Sequence, residues 1–149
     1  MDDRLSIILS ENLALFRGGK LNCAETVLVS LSQYFGEAGD FAPRIATAFG
    51  GGVCGRQGIC GAVTGGLMAI GLRLGRKNPG DDKAPANDAG KALIKWVEES
   101  FPSLDCLTLT GADFSDPEQS ARFRAPGGTH DTVCVRLVEE IVRRLAETL

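Results

Sequence analysis

The 149-residue sequence predicts an all-α fold: a single-domain helical bundle, residues 1–149, of about five main helices plus short helical turns. Three observations predict it. Apolar residues recur three and four positions apart in several long stretches. No stretch alternates apolar and polar residues as a half-buried strand would. Helix start and stop signals bracket the periodic stretches. There is no internal repeat and no second domain.

Leu5, Ile8, Leu9, Leu13 and Phe16 place one apolar face on a first helix that Gly18-Gly19 ends. A second begins at Asn22-Cys23-Ala24-Glu25, where Asn22 caps and Glu25 reaches back, and it buries Ala24, Val27, Leu28 and Leu31. A short third covers Pro43 to Phe49 and breaks at Gly50-Gly51-Gly52. The fourth carries Val63, Leu67, Ile70 and Leu74 and stops at Gly75. The polar stretch Arg76 to Asn87 reads as a surface loop, and helix five follows from Asp88 to Ser100 with Ala89, Leu93, Trp96 and Val97 inward. A helical turn around Cys106 ends at Gly111, and Ser115-Asp116-Pro117-Glu118 opens another short helix that Ala125 to Gly128 breaks. The last helix starts near Asp131, with Cys134, Leu137, Val138, Ile141 and Leu145 on its inner face.

Composition narrows the function. Hydrophobic residues are 44% and charged ones 23%, as in an ordinary globular protein, and a chain of this length buries a core without disulfide staples. A net charge of -3 with scattered Lys and Arg gives no footprint for nucleic acid. The stretch Gln57 to Leu72 holds too many glycines to read as a membrane span. Met1-Asp2-Asp3-Arg4 is acidic where a secretory signal would be basic, so a cytoplasmic location is expected. There, unpaired cysteines point to metal or redox chemistry more than to structural disulfides.

Five cysteines are present. Gaps of 37, 46 and 28 residues separate Cys23, Cys60, Cys106 and Cys134, so no C-x-x-C knuckle exists. Yet each of the four falls in the first turn of an expected helix. A helix N-terminus offers unsatisfied N–H groups and partial positive charge, which favour a thiolate and lower its pKa. If those helix starts converge, they form a pocket of four thiolates. The competing reading is packing, because cysteine is often a small buried hydrophobe. His130, the only histidine, lies four residues before Cys134 and reads as a metal ligand, a general base or a solvated loop side chain.

The stretch Gly50 to Gly66, GGGVCGRQGICGAVTGG, lacks the G-K-[ST] and the preceding strand of a nucleotide-binding loop, so no nucleotide cofactor is expected. Gly61 and Gly65, flanked by Ala62 and Gly66, leave one face of helix four nearly bare. Glycine inside a helix costs about 1 kcal/mol relative to alanine, so this face needs a reason. Close approach of another helix, bringing its own cysteine, supplies one; a homodimer contact supplies another.

The motifs Asn22-Cys23-Ala24-Glu25, Phe49-Gly50-Gly51-Gly52, Cys60-Gly61-Ala62-Val63-Thr64-Gly65-Gly66 and Ser103-Leu104-Asp105-Cys106, with the late Cys134, together resemble the C_GCAxxG_C_C family of redox-active proteins over nearly the whole chain. The resemblance implies a small bacterial or archaeal helical protein with four characteristic cysteines. A related module in split-Soret-type cytochromes carries an iron-sulfur centre, which implies a cluster held by Cys23, Cys60, Cys106 and Cys134. No C-x-x-C-H is present, so haem does not carry over. The chain departs from the family pattern at Cys54, where glycine is usual, and at Val135, where a proline follows the last cysteine.

Three readings follow. The first is an electron carrier with an iron-sulfur cluster on the four cysteines, working with an unidentified redox partner. The second is a metal-free thiol-disulfide oxidoreductase in which Cys60 attacks and Cys54 or Cys23 resolves. The third is a structural zinc site on the same four residues. The helices look amphipathic enough for the metal-free chain to stay folded.

Overall fold

A computed structural model describes residues 2–149. Among the described residues there are eight α-helices: α1 (Asp3–Arg17), α2 (Cys23–Tyr34), α3 (Phe41–Ala46), α4 (Gly61–Leu74), α5 (Ala84–Ser100), α6 (Cys106–Thr110), α7 (Pro117–Arg124) and α8 (Arg136–Thr148). Five of them, α1, α2, α4, α5 and α8, run twelve residues or longer and the rest are short. Among the described residues there is no strand, only an isolated antiparallel bridge between Ile59 and Asp105.

Helix α2 is the centre of the bundle. Its start is the expected capping box: Asn22 Oδ1 accepts from the Glu25 N–H at 2.8 Å and Glu25 Oε1 accepts from the Asn22 N–H at 2.9 Å. Ala24, Val27, Leu28 and Leu31 are all but sealed from solvent. Each such burial of a Val or Leu contributes roughly 1.5–3 kcal/mol. Asn12 of α1, itself buried, fixes that helix against α2 by donating to Ser30 Oγ at 3.0 Å and Gln33 Oε1 at 2.8 Å. Leu137, Val138, Ile141, Val142 and Leu145 of α8 close the core from the opposite side.

Glycines set the α2–α4 spacing. A Cβ on Gly65 would stand 2.6 Å from the carbonyl oxygen of Ala24, and one on Gly61 would collide with Cys23 Sγ. A Cβ on Gly66 would press on Leu93 of α5 and Ile141 of α8. The bare face of α4 is therefore used inside the chain, against α2, α5 and α8, and is not free for a homodimer contact. As expected from its spacing, it lets a neighbouring helix bring a cysteine close.

Three boundaries differ from the sequence reading. Helix α5 starts at Ala84 rather than Asp88, with Pro85 in its first turn where the missing N–H costs nothing, so the loop before it is shorter. Helix α3 starts at Phe41 and hands over to a 3-10 turn, Thr47–Phe49, so Pro43 lies within its first turn. The last helix is preceded by a π-helical segment, His130–Val135, and helical structure begins ahead of Asp131.

A Gly65→Ala substitution is expected to destabilise the fold by about 1–3 kcal/mol through overpacking against the α2 backbone. At Gly71, an exposed α4 position where an added Cβ meets nothing, alanine should instead stabilise by up to about 1 kcal/mol. Urea midpoints of the two variants check both signs.

Candidate functional site

The loop from Gly50 to Gly58 winds through a run of positive φ angles: Gly51 62°, Gly52 70°, Val53 70°, Cys54 52°, Gly55 71° and Gln57 58°. Such conformations cost a non-glycine residue about 1–2 kcal/mol, and here Val53, Cys54 and Gln57 adopt them. Backbone bonds from the Gln57 N–H to Gly51 O (2.8 Å) and from the Gly58 N–H to Gly52 O (2.9 Å) close the loop. A Cβ on Gly52 would lie 2.6 Å from Gly58 N and 2.8 Å from Cys106 Cβ, so glycine is needed there for space as well as conformation.

The same loop straps three helix starts together. Asn22, already the α2 cap, donates from Nδ2 to Thr47 O at 2.9 Å and sits against Gly50. Beyond the loop, the Cys60 N–H donates to Leu104 O and the Cys106 N–H to Gly58 O, both at 2.7 Å. Those two bonds set Cys60, the N-terminal cap residue of α4, beside Cys106, the first residue of α6. Asp105 caps α6 by accepting from the Thr108 N–H. Gln57 is buried and locks the arrangement: its amide donates to Ala112 O at 2.7 Å, accepts from the Phe114 N–H at 2.8 Å, and hydrogen-bonds the Cys106 sulfur.

Cys23, Cys60, Cys106 and Cys134 all line one pocket of about 210 Å³. Phe16, Phe114, Phe123 and His130 form its aromatic wall, with Lys20 and Arg124 also bordering it. Cys60 and Cys106 are buried, Cys23 and Cys134 half-buried, and all are free thiols. Backbone N–H groups of Gly51, Ala24 and Gly61 are directed at the Cys23 sulfur, and those of Ala62 and Val63 at the Cys60 sulfur. Cys134 departs from the expected pattern. It is the fifth residue of the π-helical segment, one turn in, and not at a helix start. Among the described residues, no three His, Cys, Asp or Glu side chains are grouped to hold a single metal ion.

A family model described as "Putative redox-active protein (C_GCAxxG_C_C)" matches residues 21–148, from just before Cys23 to the last turn of α8. The chain belongs to the C_GCAxxG_C_C family. No curated protein and no solved structure matches it. All four pocket cysteines lie inside the matched region, and α1, which supplies Phe16 to the pocket wall, lies outside it.

Cys54 is exposed on the left-handed loop and does not line the pocket. His130 is not the solvated loop residue that one reading allowed. The residue is 7% exposed, and its ring packs at a tilt against Phe16 (4.5 Å) and edge-on to Phe123 (5.4 Å). Gln57 and Phe114 carried no signal in the sequence: a glutamine among glycines reads as a solvated turn, and Phe114 sits in an irregular segment.

The protonation expectation for the C_GCAxxG_C_C thiols is overturned. Burial pushes Cys23 up, Cys60 up to about 12 and Cys106 up to about 11, and it pushes Cys134 up as well. Charge repulsion adds to this, from Cys23 at Cys60, Cys106 and Cys134 and from Cys60 and Cys106 at Cys134, while the backbone N–H groups at Cys23 and Cys60 offset only part of the rise. Desolvation thus outweighs the helix-terminal effect, and the four are neutral thiols near pH 7.

Two outcomes follow. In metal-free protein at neutral pH, iodoacetamide should modify Cys54 quickly and the pocket cysteines slowly, and Cys54→Ser should remove the fast phase seen by mass spectrometry. A raised folded pKa makes stability constant below the ordinary thiol value near 9 and lost as pH climbs toward 11–12. Urea midpoints should therefore fall from about pH 9 upward, with a limiting slope of about 1.4 kcal/mol per pH unit for each buried thiol.

Proposed function

We propose that this protein is an electron carrier whose centre is an iron-sulfur cluster held by Cys23, Cys60, Cys106 and Cys134. The observation that carries the reading is the shared pocket: four sulfurs on α2, α4, α6 and the π-helical segment, two of them already supplied with backbone N–H donors. Four neighbouring buried thiols that resist ionisation can become thiolates together near neutral pH when a cationic centre balances them, which is what soft-metal ligation provides.

The donor set fits such a group. It is all sulfur, all four side chains line one cavity, and its N–H donors are of the kind that tune a cluster's potential. A zinc site would ask the same four sulfurs to meet tetrahedrally at one ion. Bound there, a cluster supplies one-electron transfer; the chain's own residues hold it, shield it and direct N–H groups at its sulfur ligands. A dithiol mechanism pairing Cys60 with Cys54 is not favoured, because Cys54 lies outside the pocket. The pairing of Cys60 with Cys23 is the stronger dithiol reading, since Gly61 brings Cys23 Sγ onto the backbone beside Cys60.

Anaerobic reconstitution with iron and sulfide, followed by absorption spectroscopy and iron analysis, tests the proposal. Wild type and Cys54→Ser should take up iron alike, and serine at Cys23, Cys60, Cys106 or Cys134 should abolish or strongly reduce it. An iron-free wild type that forms a Cys23–Cys60 disulfide on oxidation would replace the cluster reading with the dithiol one. Because the pocket thiols are protonated, loading at pH 7.5 should release one proton from each ligating thiol in addition to the proton each hydrosulfide gives up on becoming a bridging sulfide. Chelation should leave the helical circular dichroism intact, since the core of α1, α2, α4, α5 and α8 is apolar and continuous.

A further inference from the structure

His130 belongs to the four-cysteine pocket by three independent features. It lines the same cavity as the four sulfurs. The residue is more than nine-tenths buried, and among the described residues it makes no hydrogen bond; its ring meets Phe16 in a tilted contact and Phe123 edge to face. It opens the chain's π-helical segment, whose fifth residue is Cys134, and π-helical turns are rare and concentrate at functional sites. Among the described residues the only sealed side-chain polar atom without a partner is Ser32 Oγ, so the imidazole nitrogens keep access to the cavity the ring lines, and an N–H there is available to a bound group.

We propose that His130 is a hydrogen-bond donor of this centre, giving a ring N–H to a sulfur of the group the four thiols hold. The inference rests on the metal-binding reading above and adds a residue outside the four cysteines. Aromatic clamping by Phe16 and Phe123 fixes the ring plane, and the π-helical turn sets His130 and Cys134 toward one cavity. Burial and the nearby Arg124 guanidinium hold its pKa below the ordinary value, so it acts as a neutral donor; Asp131 opposes this and Arg17 adds to it. An N–H to sulfur favours the more negative, reduced state, which raises the reduction potential.

The single histidine makes the test clean, because ring nitrogen signals in a ¹⁵N-histidine sample belong to one residue. Cadmium(II), a redox-silent thiol probe, is titrated into wild-type protein and the imidazole ring is followed by long-range ¹H–¹⁵N NMR. A neutral ring whose N–H resonance moves on cadmium binding supports the proposal, even if iron never assembles. A ring indifferent to cadmium overturns it, and so does a ring nitrogen showing direct coupling to ¹¹³Cd, which would make His130 a ligand. In iron-loaded protein, His130→Phe should keep its iron and show a lower midpoint potential, by about 59 mV if the donor favours the reduced state tenfold. His130→Gln, which restores an N–H, should move the potential back. An unchanged potential in His130→Phe, or loss of iron from a folded His130→Phe protein, contradicts the donor role. Failure of wild type to assemble a cluster refutes the cluster reading separately, since the cadmium measurement does not depend on it.

Discussion

The close approach of α2 to α4 is the constraint on which the rest depends. Gly65 meets the Ala24 backbone and Gly61 meets Cys23 Sγ at distances that no side chain tolerates. That contact places the first residue of α2 beside the cap of α4, where backbone N–H groups of both helices reach the Cys23 sulfur. Glycine's entropic cost within a helix, about 1 kcal/mol each, is offset by the packing that only a bare face permits. Moving the two helices apart by the width of a methyl group would separate Cys23 from Cys60 and open the core around Ala24 and Val63.

From that contact outward, the glycine loop does the remaining positioning. Its left-handed run is conformationally unfavourable at Val53, Cys54 and Gln57, and it persists because the surrounding bonds over-determine it. Gly52 and Gln57 press on or bond to Cys106, and the Ile59–Asp105 bridge fixes α6 against the start of α4. The strain thus lies in the segment that carries no ligand candidate of its own in the pocket, and it orders cysteines from elements far apart in sequence.

Two electrostatic effects compete at these sulfurs, and their magnitudes decide the resting state. Helix-terminal N–H groups favour the thiolate by amounts typically below 1 kcal/mol at exposed sites, whereas desolvation of a buried charge costs several kcal/mol. Burial wins, so the pocket cysteines are neutral thiols. Protonated thiols of this kind are poorly suited to nucleophilic attack on a disulfide.

The local sequence determined a great deal. Asn22 and Glu25 spelled a capping box, Gly111 and Asp116-Pro117 marked short helices at their observed places, and the Gly61/Gly65 spacing announced a close helix approach. These are contacts within a turn or two of chain, which residue types and spacing specify directly. The α5 start was misplaced because Pro85 suits both a loop and a helix's first turn, and the placement of Cys134 was misread because a π-helical turn leaves no periodic signature over six residues. Tertiary structure alone decided that Cys54 stays outside the pocket, that Gln57 and His130 are drawn inside, and that the thiols are protonated. Burial and desolvation depend on which distant segments pack around a side chain, and no local pattern of residues encodes that.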